Sequence, residues 1–245
     1  MAGAALPGRL SWQTGTVVET IEETAQTTSI VLDLPDWPGH RAGQHVDVRL
    51  TAEDGYQAQR SYSIASAPED AHVVITVERI DDGEVSPYLT EELRIGDALE
   101  LRGPIGGYFL WEERLGGPLL LLAGGSGVVP LRSMLRHHRA ASSTVPLRLL
   151  YSARSLDDVI YRDELTRADD GRDVRLTLTR AQPEGWRGYA GRIDRALLQE
   201  VAWPPDRRPL VYACGPTGFV ETAANELVAL GHEPGRIRIE RFGPT

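Results

Sequence analysis

The chain contains a single cysteine and no lysine in 245 residues. One thiol, Cys214, excludes an internal disulfide and a plant-type iron–sulfur cluster, which needs four thiolates. The six histidines are scattered along the sequence, so we predict no metal site. No apolar run approaches the length of about 18 residues that a membrane span requires, so no span is predicted. The N-terminus lacks the basic start and apolar length of a signal peptide, and we expect a cytoplasmic protein.

All 26 basic residues are arginine, and they are unevenly distributed. Residues 1–115 carry 8 Arg against 20 Asp and Glu, a net charge of −12, whereas residues 116–245 carry 18 Arg against 15 acids, a net charge of +3. The acidic first half argues against nucleic acid and anionic membranes as partners. The basic second half suits phosphate ligands. An acidic face that only maintains solubility explains the first half equally well.

The first half of the sequence has the residue pattern of short β-strands. Its apolar and β-branched residues recur between polar turns, at residues 16–21, 28–33, 45–50, 73–78 and 98–102. Short strands at regular spacing predict an antiparallel β-barrel. One short helix is predicted over residues 87–93, with Ser86 as its N-cap and Pro87 at its first position. The start of that helix is predicted to be an anion site.

The second half alternates apolar strands with helices. The strands are predicted at residues 119–122, 147–151, 174–179, 210–213 and 236–240. Apolar strands that alternate with helices predict a parallel sheet in an α/β domain. The pattern of predicted secondary structure changes at residues 112–117. We therefore divide the chain into a β-barrel domain, residues 1–114, and an α/β domain, residues 115–245.

A glycine-rich loop follows the first parallel strand and opens a helix. In this context glycines let the backbone approach a pyrophosphate, and the helix N-terminus supplies free N–H groups. We therefore predict that Gly125 and Gly127 contact a dinucleotide. Pro130 stands where the usual dinucleotide fingerprint has its third glycine. A tight strand–helix turn without a ligand is the alternative.

Arginine residues follow the second and third parallel strands. Where the second strand ends, a NAD-specific site would place an acidic residue, but this chain has Arg154 there and Arg180 after the third strand. Guanidinium groups pair well with a ribose 2′-phosphate, which favours NADPH. The nearby Asp157 and Asp158 keep NADH possible. Both arginines are equally compatible with an ordinary surface.

The fourth parallel strand ends in Cys214-Gly215-Pro216. Ligands bind at the carboxyl edge of such a sheet, and the glycine and proline force a sharp turn there. We expect this turn to aim Cys214 into the cleft. The alternative is a cysteine that packs as a small buried hydrophobic residue.

A strand in the first half combines three ligand-binding side chains. In an extended chain Arg60 and Tyr62 share one face, and Ser63 lies next to them at the edge. An arginine pairs with a pyrophosphate through two hydrogen bonds, a tyrosine packs along a flat ring, and a serine donates to a ring nitrogen. An ordinary strand of mixed polarity explains these residues as well.

Six short motifs in this order make the sequence resemble the ferredoxin–NADP reductase superfamily. They are Arg60-Ser61-Tyr62-Ser63, Gly83-Glu84-Val85-Ser86, Gly103-Pro104-Ile105-Gly106, Gly124-Gly125-Ser126-Gly127, Cys214-Gly215-Pro216 and Glu240-Arg241-Phe242-Gly243. The likeness covers nearly the whole chain. It implies a flavin-binding antiparallel barrel followed by a nicotinamide-binding α/β domain. The implied cofactors are FAD and NADPH, with NADH also possible.

The resemblance also implies roles for residues of the first half. Arg60 contacts the FAD pyrophosphate, Tyr62 lies against the flavin, and Ser63 sits near its reactive nitrogen. The second motif binds the FAD phosphates through Glu84, Val85 and Ser86.

For the second half, the resemblance implies contacts with the nicotinamide dinucleotide. Gly125 and Gly127 touch it, and Cys214 lies near its nicotinamide ring, with Gly215 and Pro216 as neighbouring contacts. Ser63 and Cys214 orient the two rings. Glu240 stabilises charge or supplies a proton, and Phe242 is the aromatic residue available to shield the flavin.

The activity implied by the resemblance is that of an FAD-dependent NAD(P)H oxidoreductase. Hydride passes from the nicotinamide to the flavin, and single electrons leave to a carrier such as a ferredoxin or an oxygenase component. Many relatives with this ending continue into a [2Fe–2S] domain. Because the sequence stops at Thr245, we expect a reductase module with a separate redox protein as its partner. A reductase of a diffusible acceptor (free flavin, a quinone or a ferric chelate) and a non-catalytic partner subunit are the alternatives.

Overall fold

The computed structural model describes residues 10–167 and 173–243. Its first six strands form one antiparallel sheet in the order β4-β3-β6-β1-β2-β5. The strands are β1 (Trp12–Thr24), β2 (Thr27–Asp33), β3 (His45–Thr51), β4 (Gln57–Ser63), β5 (Val73–Glu78) and β6 (Ala98–Ile105). An antiparallel bridge between Ile64 and Ile75 brings the two edge strands together. The predicted antiparallel barrel is confirmed.

Alternation along the barrel strands places one set of side chains inside. Val46 and Val48 of β3 are fully buried, and so are Leu99 and Leu101 of β6. These residues belong to one core cluster with Ile30, Leu32, Ile75 and Val77. The polar residues between them lie on the opposite face, where Asp47 is buried and hydrogen-bonded to Ser61 and Arg102.

The helix predicted over residues 87–93 is a single π-helical turn, Tyr88–Glu92. Ser86 does not cap it, so that prediction is wrong. The Ser86 hydroxyl accepts a hydrogen bond from the backbone N–H of Ile80 at 3.0 Å, because the turn before the helix folds back over it. No side chain caps the start of this turn, and the anion site predicted there stays a prediction.

The remaining six strands form a second sheet in the order β10-β9-β8-β7-β11-β12, with every neighbouring pair parallel. Its strands are β7 (Leu119–Gly124), β8 (Leu147–Ala153), β9 (Asp173–Leu178), β10 (Tyr189–Ala190), β11 (Leu210–Pro216) and β12 (Ile237–Phe242). The helices are α1 (Val128–Ala140), α2 (Arg162–Leu165), α3 (Arg195–Val201) and α4 (Thr217–Ala229). The predicted parallel α/β sheet is confirmed.

The central strand β7 explains the apolar run in the sequence. Leu119 and Leu121 pack in one buried cluster, and Leu120 and Leu122 pack in another on the opposite face. A parallel strand covered on both faces has no polar side, so its sequence does not alternate. None of the helices among the described residues is long and apolar enough to cross a membrane.

Helix α1 packs directly against the barrel half. Ala42 and Ala65 of the first half are buried in one cluster with Val128 and Met134 of α1, and we call this the interdomain cluster. Its other buried members include Phe109, Trp111, Leu119, Leu121 and Cys214. The boundary predicted after residue 114 falls in the connection between β6 and β7 and stays a prediction.

Polar contacts reinforce this packing. The hydroxyl of Ser133 on α1 donates a buried hydrogen bond of 2.6 Å to the carbonyl oxygen of Ser66 in the barrel half. Arg136, one turn further on, forms two hydrogen bonds of 3.0 Å with the carboxylate of Asp70. Bidentate arginine–carboxylate pairs fix orientation as well as distance, so α1 is held to the barrel at two points.

A chain of hydroxyl groups also crosses between the two halves. Tyr161 donates to Thr76 Oγ1 at 2.5 Å, and Ser29 donates to the carboxylate of Glu23 at 2.6 Å. Thr76 and Ser29 are joined at 2.8 Å. Each hydroxyl has one proton, and the Ser29 proton is already directed at Glu23. Thr76 must therefore donate to Ser29, and the whole chain runs in one direction from Tyr161 to Glu23.

Replacing Tyr161 with phenylalanine removes the first donor of this chain. We predict that Tyr161→Phe lowers the free energy of unfolding by about 1 to 2 kcal/mol, because Thr76 loses a buried hydrogen bond. Chemical denaturation of both proteins measures the difference. Tyr189→Phe is the matched control, since the Tyr189 hydroxyl bonds Glu200 on the exposed surface. Equal stability of Tyr161→Phe and the wild type would contradict the prediction.

Candidate cofactor-binding site

The glycine loop and the Cys214 segment touch each other at the carboxyl edge of the second sheet. A Cβ atom on Gly127 would lie 2.1 Å from the carbonyl oxygen of Cys214 and 2.6 Å from the backbone nitrogen of Gly215. Only a residue without a side chain permits this approach. The structure therefore brings together two predicted motifs that are almost 90 residues apart in the sequence.

Gly125 has a different surrounding. Its φ of +54° is in the left-handed region, and no heavy atom lies within 4 Å of the position that a Cβ atom would take. The space beside the loop is therefore open. It lies at a 3₁₀ turn, Gly125–Gly127, that continues directly into α1. The backbone N–H of Val128 bonds back to Gly125 and Ser126, so the N–H groups without a helical partner are those at the start of this turn.

The side chains of β11 and β12 form a ladder on one face of the sheet. The parallel register pairs Tyr212 with Arg238 and Cys214 with Glu240. Pro216 is paired with Phe242, which is half-buried and packs against the interdomain cluster. Arg238, Glu240 and Phe242 follow one another at every second position of β12, so their side chains point to the same face of the sheet. Predicted site residues at positions 214, 240 and 242 are thus neighbours.

Cys214 is fully buried, which differs from the expected position in an open cleft. It is a member of the interdomain cluster, to which both α1 and the barrel half contribute buried residues. Burial raises the pKa of its thiol well above the ordinary value. The thiol is therefore neutral, and it lacks the thiolate form that nucleophilic cysteines use.

Glu240 is the acidic group of this ladder. Burial raises the pKa of its carboxyl to about 7. Its Oε2 atom is buried and has no hydrogen-bond partner among the described residues. A buried acceptor without a partner is costly in a folded protein, so this oxygen is positioned to receive a donor from a ligand.

In the barrel half, the first and second motifs are also in contact. Nη2 of Arg60 lies 2.9 Å from Oε2 of Glu84, and the hydroxyl of Tyr56 donates to Oε1 at 2.8 Å. The hydrogen bonds from Tyr56 and Arg60 lower the pKa of Glu84. An ionised carboxylate only accepts hydrogen bonds. The side chain of Glu84 therefore cannot donate to a phosphate, and only its backbone N–H could do so.

The other predicted FAD contacts are more deeply placed. Burial raises the pKa of Tyr62 to about 12, so its phenol is neutral. Ser63 is buried, and its hydroxyl forms no hydrogen bond with the described residues. The side chain of Val85 lies in the barrel core, so Val85 can reach a phosphate only through its backbone groups. The Ser86 hydroxyl accepts a hydrogen bond from Ile80 and keeps its own proton to donate.

The two arginines at the ends of β8 and β9 lie side by side. The backbone N–H of Arg180 donates to the carbonyl oxygen of Arg154 at 2.8 Å. Both side chains are exposed, and neither forms a hydrogen bond or an ion pair within the described part of the chain. Nearby, Asp158 accepts a hydrogen bond of 2.6 Å from Ser155, and Asp157 lies 3.5 Å from Arg162. The arginines, rather than these acids, are free for a ligand.

Comparison with known proteins identifies the family. An oxidoreductase FAD-binding domain matches residues 14–109, and an oxidoreductase NAD-binding domain matches residues 121–225. Ferredoxin–NADP reductase B of Sorangium cellulosum is 37% identical over 212 residues, which cover 82% of this chain and 84% of that protein. This chain belongs to the ferredoxin–NADP reductase superfamily. Its barrel is an FAD-binding domain, and its α/β half is an NAD-binding domain.

Two further relatives extend the comparison. The FAD/NAD-binding domain of nitric oxide dioxygenase from Vibrio cholerae O1 biovar El Tor has a TM-score of 0.85 at 28% identity, covering 95% of this chain and 99% of that chain. The glycine betaine monooxygenase reductase subunit of Chromohalobacter salexigens is 32% identical over 237 residues, which cover 93% of this chain. This chain spans 63% of the length of that subunit.

The residues present fit the two cofactors of the superfamily. The open space beside Gly125 and the start of α1 offer a cradle for the phosphates of a nicotinamide dinucleotide. The unpartnered Oε2 of Glu240 lies beside Cys214, where the two halves meet. In the barrel, Arg60 is half-exposed and lies within reach of a pyrophosphate.

Arg238 is a residue that the sequence analysis missed. Its Nη1 donates to the carbonyl oxygen of Leu110 at 2.6 Å, to that of Tyr108 at 3.1 Å and to the hydroxyl of Tyr212 at 3.2 Å. It thereby ties the segment between β6 and β7 to β12, the strand that carries Glu240. The available signal was its position two residues before Glu240 on the same face of a strand.

Glu240 should make the stability of this superfamily member depend on pH. Its pKa is about 7 in the folded chain, above the ordinary 4.5. Between these values the folded state keeps the proton and the unfolded state has lost it. The contribution of Glu240 to the free energy of unfolding therefore falls as the pH rises through this window. We predict that Glu240→Gln exceeds the wild type in stability by about 2 to 3 kcal/mol at pH 8 and equals it at pH 4.

Chemical denaturation at both pH values measures this difference, and all other titrating groups cancel in the comparison. Glu53→Gln is the control, since Glu53 is exposed and forms no contact with the described residues. It should show no offset that depends on pH. If Glu240→Gln and the wild type differ in free energy of unfolding by the same amount at both pH values, the titration of a buried acid is not the cause of that difference.

Proposed function

We propose that the protein is an FAD-dependent NAD(P)H oxidoreductase that passes electrons to a separate electron carrier. The buried hydrogen bond between Ser133 and Ser66 carries this proposal. Ser133 lies on α1, which the glycine loop opens, and Ser66 lies three residues after Ser63 of the flavin motif. This contact fixes α1 to the segment that follows the flavin motif, and it supports a site shared by the two halves, as ring-to-ring transfer requires.

When bound, flavin and nicotinamide supply the redox chemistry, and the protein supplies binding, orientation and electrostatics. Arg60 and the start of α1 hold phosphate groups, and Tyr62 and Phe242 offer aromatic surface to the flavin. Ser63 and Cys214 orient the rings as neutral groups. The interdomain cluster excludes water from the floor of the site.

Glu240 has a separate role in this proposal. With a pKa of about 7, its carboxyl holds a proton at Oε2 in part of the molecules near neutral pH. In that form it can donate a proton or a hydrogen bond, and in the ionised form it can accept one. Glu240 thus holds or releases a proton beside Cys214 without needing a change in fold.

The names of relatives support a separate protein as the electron acceptor. The protein from Chromohalobacter salexigens is a reductase subunit of a monooxygenase. The naphthalene 1,2-dioxygenase and salicylate 5-hydroxylase systems of a Ralstonia species contain a ferredoxin–NAD(P)(+) reductase component, which is 30% identical over 239 residues. In both cases the reductase belongs to a larger oxygenase system, so a redox protein of such a system is the proposed partner.

The purified protein should be yellow after reconstitution with FAD, and NAD(P)H should bleach it in the absence of oxygen. It should then reduce a one-electron dye. We predict that Cys214→Ala binds FAD normally but is bleached about tenfold more slowly or worse, because the nicotinamide loses a neighbour that orients it. Stopped-flow absorbance measures the bleaching rate. Wild-type protein that stays colourless with FAD, or stays oxidised with both nucleotides, would contradict the proposed function.

We also propose NADPH as the preferred nucleotide, because Arg154 and Arg180 are exposed and unpaired within the described residues. Each variant, Arg154→Ala or Arg180→Ala, should raise the KM for NADPH about tenfold and leave that for NADH unchanged. Steady-state dye reduction with both nucleotides measures this. Arg139→Ala, at the far end of α1, is the control. Equal increases in both KM values would contradict a contact with the 2′-phosphate.

A further inference from the structure

The arginine expected to bind the FAD pyrophosphate already has an anionic partner in this chain. Nη2 of Arg60 donates to Oε2 of Glu84 at 2.9 Å, and Nη1 donates to the carbonyl oxygen of Gln59 at 2.7 Å. Both terminal nitrogens of the guanidinium are therefore engaged. Each terminal nitrogen keeps a second N–H and Nε has its own, so a phosphate that binds Arg60 shares the guanidinium with Glu84.

Glu84 is itself held in place by a second donor. The Tyr56 hydroxyl donates to Oε1 at 2.8 Å, so each carboxylate oxygen has its own partner. Tyr56 comes from the turn between β3 and β4, and Glu84 comes from the turn before the π-helical segment. The hydrogen bonds to Tyr56 and Arg60 lower the pKa of Glu84, so the carboxylate is ionised at neutral pH.

The position of this pair leaves it open to a ligand. The side chains of Arg60 and Glu84 are 52% and 50% exposed, so an incoming phosphate can reach the guanidinium. The carboxylate and the phosphate are both anions that accept hydrogen bonds from the same donor. They repel each other at short range and compete for Arg60.

From this geometry we propose that Glu84 is an internal competitor of the FAD pyrophosphate for Arg60 and limits the affinity of the protein for FAD. The proposal rests on the proposed function, because it assumes that FAD binds at Arg60. The role of Glu84 is then opposite to that of a phosphate-binding residue. It engages part of the guanidinium before the cofactor arrives and repels the phosphates that share it.

The test is the affinity of the cofactor-free protein for flavins, measured by the quenching of flavin fluorescence. Glu84→Gln keeps the shape of the side chain and its bond to Tyr56 but removes the charge. It should bind FAD about two- to fivefold more tightly than the wild type, in the range of exposed ion pairs. Affinity for riboflavin, which has no phosphate, should not change.

Two controls separate competition at Arg60 from a general effect of charge. Glu53→Gln makes the same change on the turn between β3 and β4, where the side chain is exposed and has no contact with the described residues. It should alter FAD affinity less than twofold. In an Arg60→Ala background, Glu84→Gln should no longer raise the affinity, because the two anions then have no shared donor.

The outcomes separate this inference from the proposed function. If the wild type binds FAD and Glu84→Gln binds it equally or more weakly, the inference is overturned and the proposed function stands. A gain that persists in the Arg60→Ala background, or that extends to riboflavin, also overturns it. If neither protein binds FAD, the proposed function and the inference fail together.

Discussion

The contact between α1 and the barrel is the constraint on which the rest of the molecule depends. The start of α1 forms the nucleotide loop, and Ser133 on the same helix holds the segment that follows the flavin motif. A helix of 13 residues behaves as one rigid rod at this scale. A displacement of α1 would therefore move both half-sites at once. The pairing of Arg136 with Asp70 resists such a displacement at a second point of the helix.

The floor of the site carries little fixed charge. Burial keeps the Cys214 thiol neutral and raises the pKa of Tyr62 to about 12. The carboxyl of Glu240, with a pKa of about 7, is the group there that changes charge near neutral pH. A neutral environment suits cofactor rings that carry out the redox chemistry themselves. The protein then contributes by orienting the rings and supplies no nucleophile. The charged groups, Arg60, Arg154 and Arg180, lie further out, where phosphates are expected.

The sequence predicted the two sheets because each has a simple physical signature. The run at 119–122 is buried on both faces, and alternation around Val46 and Val48 marks a strand buried on one face. Contacts between distant segments had no such signature. The pairing of Arg60 with Glu84 and the hydrogen bond of Ser86 to Ile80 both depend on how a turn folds back. The burial of Cys214 depends on how α1 and the barrel pack over the sheet, which a strand-end motif does not reveal.

Arginine is the only basic side chain apart from histidine in this sequence, so residue type alone says little about where anions bind. The partners of each arginine decide the matter. Arg238 donates to three neutral oxygens and has no carboxylate partner in the described part of the chain. Its role is therefore structural. Arg60 is paired with a carboxylate, which competes for the guanidinium with any phosphate that binds there. Arg154 and Arg180 are unpaired within the described residues, so binding an anion there breaks no existing ion pair. The second half can therefore accept a phosphate with less rearrangement than the first, although both present the same guanidinium group.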